Sequence, residues 1–239
     1  TAIAESLQRT VVLEEAPSVE GHDVLARYRP AKGSQLGGDW WDAFHLPDGR
    51  FAVSVGDVAG HGVTAATAMA QIRTALRAYM FDGHTPAACL DRLDGLVQSL
   101  LPGQTATAVV AVLDPRTGEV ELANAGHPPL LLLSGGEVSV LPHAGRPLLG
   151  VAHGAARTDR LTLAAGDILL AYTDGLVERR GVEIDVSIDR LASAAAGSDH
   201  SDTLDVWIDD LLTAVPGTLD DDLTVVALRR LTAPMGEPT

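Results

Sequence analysis

Residues 37–58 read GGDWWDAFHLPDGRFAVSVGDV, and this stretch decides the fold. Two β-prone runs, 39–46 and 50–57, flank Pro47-Asp48-Gly49, in which proline fixes one φ and glycine supplies a reversal of the chain. A β-hairpin follows, with Asp39 and Asp57 on its outer ends, distant in sequence and close in space. A short carboxylate held at a strand end points its oxygens in a fixed direction, and neighbouring carboxylates repel unless a cation lies between them. Oxygen donors without paired Cys or His favour Mg²⁺, Mn²⁺ or Ca²⁺ over zinc.

Outward from the hairpin, 24–30 alternates as a half-buried strand. After Gly62 the period changes: Met69, Ile72, Leu76 and Tyr79 fall on one helical face, which ends at Gly83. Thr85-Pro86 caps a second helix through Leu90, Leu93, Val97 and Leu100. Strands are expected at 105–113, 119–124, 129–133, 137–141, 158–163, 167–173 and 223–230, a long loop at 142–157, and helices near 186–196 and 201–214. Ile3, Leu7 and Val11 give a helical stripe over 1–16, stopped by Pro17. Tightly hairpinned strands with helices inserted in pairs predict an α+β domain, two antiparallel sheets packed together and covered by helices. Four further acidic or glycine-rich islands punctuate these elements: GDVAGHG (56–62), NAGHPP (124–129), YTDGLVE (172–178) and DDLT (221–224). Asp57, Asp174 and Asp221 each stand at the edge of an apolar, β-prone run.

The chain of 239 residues is long enough for one large domain. Lys+Arg 17 against Asp+Glu 32 gives a net charge of −15, a surface that repels a nucleic-acid backbone. Aromatics are 4% of the chain, so Val, Leu and Ala must build the core. The single cysteine, Cys89, excludes an internal disulfide framework and fits a reducing, cytoplasmic setting. No transmembrane-length run or signal segment is read, so no membrane partner is expected of this segment.

Taken in order, GGDWWDAF, GDVAGHG, NAGHPP, YTDGLVE and DDLT resemble the SpoIIE-type branch of the PPM family, metal-dependent serine/threonine protein phosphatases related to type-2C enzymes. The resemblance spans 20–232, and implies an α-β-β-α sandwich with two divalent ions, Mn²⁺ or Mg²⁺, at one end. It implies hydrolysis of phosphoserine or phosphothreonine on a regulatory partner, such as a STAS-type anti-anti-sigma factor, by a hydroxide bridging two ions about 3.5–4 Å apart. Carried over residue by residue, Asp57 is the bridging ligand, the Val58 carbonyl binds one ion, and Asp174 and Asp221 bind the other. Asp39 matches the acidic residue of the first motif, acting directly or through metal-bound water, and joins Asp57 as a catalytic candidate. Residues 1–19 resemble the helical linker that joins such domains to an upstream sensor module, and 233–239 read as a tail. A homodimer is one compatible assembly.

Other residues carry plainer readings. Asp42 reads as structural, Asp48-Gly49 as a turn, Cys89 as a buried small hydrophobe, and His127 as shaping a turn. Trp40 and Trp41 read as packing residues, and Trp41 stands where the family more often has tyrosine. His61 is spaced from Asp57 unlike the Asp-Gly-His of type-2C enzymes, so a capping or packing role is favoured over general acid. Of three consecutive carboxylates, Asp221 is expected as the ligand, Asp222 as a loop-orienting acceptor and Asp220 as solvated. The arginine that grips phosphate in eukaryotic type-2C enzymes has no counterpart: Gln35 and Leu36 precede the glycines, with Arg29 and Lys32 nearby. The alternatives are a catalytically weak relative that binds a partner, and a two-metal nuclease, which the charge disfavours.

Overall fold

The computed structural model describes residues 15–31, 37–142, 146–151, 154–197, 203–215 and 221–232. Ten strands form two five-stranded sheets: β1 (His22–Arg29), β2 (Asp39–His45), β3 (Phe51–Val58), β4 (Ala106–Leu113), β5 (Glu119–Ala125), β6 (Leu131–Ser134), β7 (Glu137–Val140), β8 (Asp159–Thr162), β9 (Ile168–Tyr172) and β10 (Leu223–Arg230). One sheet runs β1-β10-β9-β6-β7 and the other β2-β3-β4-β5-β8, and every ladder between these strands is antiparallel. Helices α1 (Val63–Phe81) and α2 (Pro86–Leu100) cover the second sheet; α3 (Ile184–Gly197) and α4 (Leu204–Ala214) cover the first. The order of layers is α-β-β-α.

Period-two alternation sorts the side chains into three cores. Trp41, Val53, Val55, Val109 and Leu122 point between the sheets and meet Leu169, Val226 and Leu228. Their sequence neighbours Trp40, Val58, Ala108 and Val110 point outward, under Met69, Ile72 and Leu76 of α1 and Leu90 and Leu93 of α2. Beneath the other helix pair, Leu170, Tyr172, Val225 and Ala227 pack on Ile188, Leu191, Trp207 and Ile208. Trp40 and Trp41, adjacent in sequence, thus fill different layers, as packing residues.

The local signals act as read. Gly49 takes φ 86 in the 46–50 turn, where the Asp48 carboxylate accepts from the Arg50 amide at 3.1 Å. Thr85 Oγ1 accepts from the Ala88 amide at 3.3 Å with Pro86 in the first turn, a cap worth about 1 kcal/mol. Cys89 is buried on the inner face of α2, and burial pushes its thiol up to about 12, which keeps it an inert hydrophobe.

Three expectations shift. The strand read from 129 begins at Leu131, since Pro128 and Pro129 have no N–H to give a ladder. The chain after Thr173, read as a polar loop, opens with a single 3₁₀ turn, Asp174–Leu176, closed by Val177 N donating to Asp174 O at 2.8 Å. The helix read over 1–16 lies outside the described residues, apart from Glu15 and Ala16, which are not helical.

Candidate active site

The hairpin register pairs Asp39 with Asp57, and the next ladder pairs Asp57 with Thr107 of β4. Directly opposed residues project from the same face of a sheet. The parity that sends Trp41, Val55 and Val109 between the sheets therefore sends Asp39, Asp57 and Thr107 there too, in a row at one end of the sandwich. Strand ends of the other sheet complete this end. Thr173, just after β9, and Thr224 of β10 both donate hydroxyl protons to Asp39 Oδ2, at 2.7 and 2.8 Å. Thr224 N in turn donates to Thr173 Oγ1 at 2.8 Å. Asp174 follows Thr173 directly, and Asp221 precedes β10 by two residues.

Charge is concentrated here. Burial raises the Asp57 carboxyl to about 7, aided by the carboxylates of Asp174, Asp221 and Asp222, and opposed by a hydrogen bond with Asp39. Burial raises Asp174 to about 6, with Asp221 and Glu178 adding to it. Asp39, 3% exposed, is raised well above the carboxylate range by burial and then by Asp57, against the two threonine hydroxyls. Among the described residues no three acidic, histidine or cysteine side chains already close on a common metal position. Their mutual repulsion nevertheless marks a space where positive charge is stabilised.

The backbone supports the same reading. Val58 N donates to Gly38 O at 3.1 Å, and a Cβ on Gly38 would stand 2.1 Å from Val58 O and 2.7 Å from Asp57 Oδ1. Only a residue without a side chain leaves those two oxygens room for a ligand. Hard oxygen donors alone, four carboxylates and one carbonyl, suit Mg²⁺ or Mn²⁺.

Asp221 is exposed, and its Oδ1 accepts from Asp222 N at 2.8 Å. Asp222 turns inward instead, accepting from Ala31 N at 2.9 Å and Tyr28 Oη at 3.3 Å. It lies so close to Gly37 that a Cβ there would meet its Oδ2 at 1.9 Å. Burial raises the Asp222 carboxyl, with the Asp221 charge adding to it and the hydrogen bonds from Ala31 and Tyr28 opposing it. Asp220, Lys32, Gln35 and Leu36 lie outside the described residues.

Asp42, one of the carboxylates near the first motif, points the opposite way. It is fully buried on the helix side, where Arg77 donates at 2.9 and 2.6 Å and Arg73 at 3.2 Å. Two residues of separation along a strand would keep a side chain on one face; three, as from Asp39 to Asp42, reverses it. His61 is exposed in the turn before α1, between Gly60 at φ 104 and Gly62 at φ 82.

Several participants went unnoticed in the sequence: Thr173, Thr224, Thr107 and Glu178. The two hydroxyls that hold Asp39 sit inside the YTDG and DDLT islands, so their place beside the acidic residues was the available signal.

The chain resembles known proteins over most of its length. The sequence profile of the family described as stage II sporulation protein E (SpoIIE) matches residues 47–231. Protein IcfG of Synechocystis sp. is 25% identical over 94% of this chain and 40% of its own length. Phosphoserine phosphatase RsbP of Bacillus subtilis is 25% identical, over 74% of this chain and 44% of its own. The chain thus spans less than half the length of these two curated relatives. The crystal structure of the RsbU and RsbW domains of Rv1364c from Mycobacterium tuberculosis superposes with a TM-score of 0.81 at 36% identity, over 94% of this chain and 64% of that one. With more than half of its length, including four of the five islands, inside the matched segment, the chain belongs to the SpoIIE family.

Proposed function

We propose that this domain is a divalent-metal-dependent protein phosphatase that removes phosphate from phosphoserine or phosphothreonine on a regulatory partner protein. The observation that carries the reading is the register that sets Asp39 opposite Asp57, with the charges of Asp174 and Asp221, at strand ends of the other sheet, bearing on Asp57. These four carboxylates and the Val58 carbonyl would hold two divalent ions, Mn²⁺ or Mg²⁺, which when bound neutralise phosphoryl charge and supply a nucleophilic hydroxide at neutral pH.

The chain's own residues prepare that space. Asp57 is central, with Asp39 opposite it and the charges of Asp174 and Asp221 bearing on it, so it is the residue best placed to bridge two ions. Thr173 and Thr224 occupy Asp39 Oδ2, which fixes the rotamer and leaves the other oxygen for Asp57 or a water. Asp222 ties the 221–224 segment to Tyr28 and Ala31, and so sets the position of Asp221 beside it. Among the described residues, the Arg29 side chain is exposed at the end of β1, and Arg73 and Arg77 pair with Asp42 on the far face.

A net charge of −15 argues for a protein rather than a nucleic-acid substrate. The name of the relative RsbP, a phosphoserine phosphatase, supports phosphoserine as the target, and the RsbU and RsbW domains of the solved relative support a regulatory protein partner. The STAS-type identity of that partner and control by an upstream sensor module extend the family resemblance. The test is hydrolysis of p-nitrophenyl phosphate and of a phosphoserine peptide with and without Mn²⁺. Turnover should need the metal and vanish in Asp57→Asn, together with at least one Mn²⁺ site by calorimetry. Metal-independent turnover, or near-normal turnover in the variant, overturns the assignment.

A further inference from the structure

The NAGHPP island has so far explained only a turn. Asn124 accounts for that turn: its Oδ1 accepts from His127 N at 2.8 Å and its Nδ2 donates to His127 O at 3.0 Å. The imidazole is free for something else. It is 2% exposed, and its Nδ1 lies 2.9 Å from the Thr107 hydroxyl. Its Nε2 is buried without a partner in bonding geometry, and the ring lies near enough to the Tyr172 backbone to feel its dipole.

Both neighbours matter. Thr107 is directly opposite Asp57 and on the same face. Tyr172 ends β9, and the next two residues are Thr173, which holds Asp39, and Asp174. His127 therefore stands at the end of the sandwich where strands of both sheets carry acidic residues.

We propose that His127 is a positioning residue for the metal-binding end, locking the β4 neighbour of Asp57 to the β9 terminus that carries Thr173 and Asp174. This rests on the phosphatase reading above. With its proton on Nε2, toward the Tyr172 backbone, Nδ1 is an acceptor and the Thr107 hydroxyl must donate to it. The Thr107 oxygen then turns its lone pairs toward Asp57 and any water there, instead of competing for the Asp57 carboxylate by donating to it. Neutrality suits the place, and burial holds the ring far below its ordinary range, at about 3. A neutral ring orders the site without a fixed positive charge that would compete with incoming cations.

The test combines calorimetric Mn²⁺ binding with ¹⁵N NMR of the histidine rings, using the 239-residue chain. The wild-type ring should show the Nε2–H tautomer and not titrate between pH 5 and about 8. His127→Phe and the isosteric Thr107→Val should each weaken Mn²⁺ binding by about tenfold, and the double variant no more than the worse single one, because both remove one linkage. At saturating Mn²⁺ the KM for p-nitrophenyl phosphate should stay within about twofold of wild type. If His127→Phe does not fold, Thr107→Val, which keeps the shape, carries the binding test alone. Wild-type affinity in the folded variants, multiplicative losses in the double variant, or the Nδ1–H tautomer overturns the proposal. Absence of Mn²⁺ binding by the wild-type chain would instead count against the phosphatase reading itself.

Discussion

Replacing Asp57 by asparagine should stabilise the metal-free domain at alkaline pH while destroying its metal site. The sign follows from linkage. Burial and the carboxylates of Asp174, Asp221 and Asp222 raise Asp57 from 3.8 to about 7 in the folded chain. Below pH about 4 both folded and unfolded chains hold this proton, and the folded state keeps its full advantage. As pH rises toward 7 the unfolded chain releases the proton and the folded chain retains it, so folding stability falls. Three pH units at about 1.4 kcal/mol each give a loss on the order of 4 kcal/mol. Asp174, raised to about 6, contributes in the same direction over a narrower window. The assay is urea unfolding in EDTA at pH 5, 6, 7 and about 8, followed by fluorescence of the buried Trp40, Trp41 and Trp207. Wild-type stability should fall across the series, and Asp57→Asn should fall less, ending about 2–4 kcal/mol above wild type at the highest pH. Mn²⁺ at a hundredfold its Kd should then return about 2.7 kcal/mol to the wild type and almost nothing to the variant. A flat or rising wild-type profile in EDTA, or the same slope in the variant, would refute the reasoning.

Asp221→Asn should abolish turnover at saturating Mn²⁺ while Asp222→Asn stays partly active, because the Asp222 side chain is turned inward and an amide oxygen can still accept from Ala31 and Tyr28; the reverse order in steady-state assays would place the ligand one residue later. Asp42→Ala should cost about 3 kcal/mol in urea unfolding by removing the buried carboxylate that Arg77 and Arg73 share, the lower end of such losses since Arg77 is 42% exposed; a change below about 1 kcal/mol would mean the pair adds little. His61→Ala should keep turnover within about tenfold, as an exposed ring in a glycine turn is not needed for proton transfer; a loss beyond about a thousandfold with Mn²⁺ binding intact would make it the general acid.

The elements were legible because their causes are local. Pro47-Asp48-Gly49, Thr85-Pro86 and the helical period through Met69, Ile72 and Leu76 act over a few residues, and each is matched by a turn, a cap or a buried face. Even the pairing of Asp39 with Asp57 was within reach, since a hairpin turn fixes the register of its two strands. The neighbours Trp40 and Trp41 show where such reasoning stops: alternation says they part, but not which layer receives each. Asp42 and Asp39 carry the same group in the same strand, and only the presence of α1 on one face and β10 on the other makes one an ion-pair anchor and the other a member of the acidic cluster. What the tertiary structure alone decided are the contacts between segments far apart in the chain: Thr173 and Thr224 on Asp39, Tyr28 and Ala31 on Asp222, His127 between Thr107 and Tyr172. These join residues from strands β1, β2, β4, β9 and β10, whose adjacency comes from closing long loops and burying one shared core, and no local period in the chain encodes it.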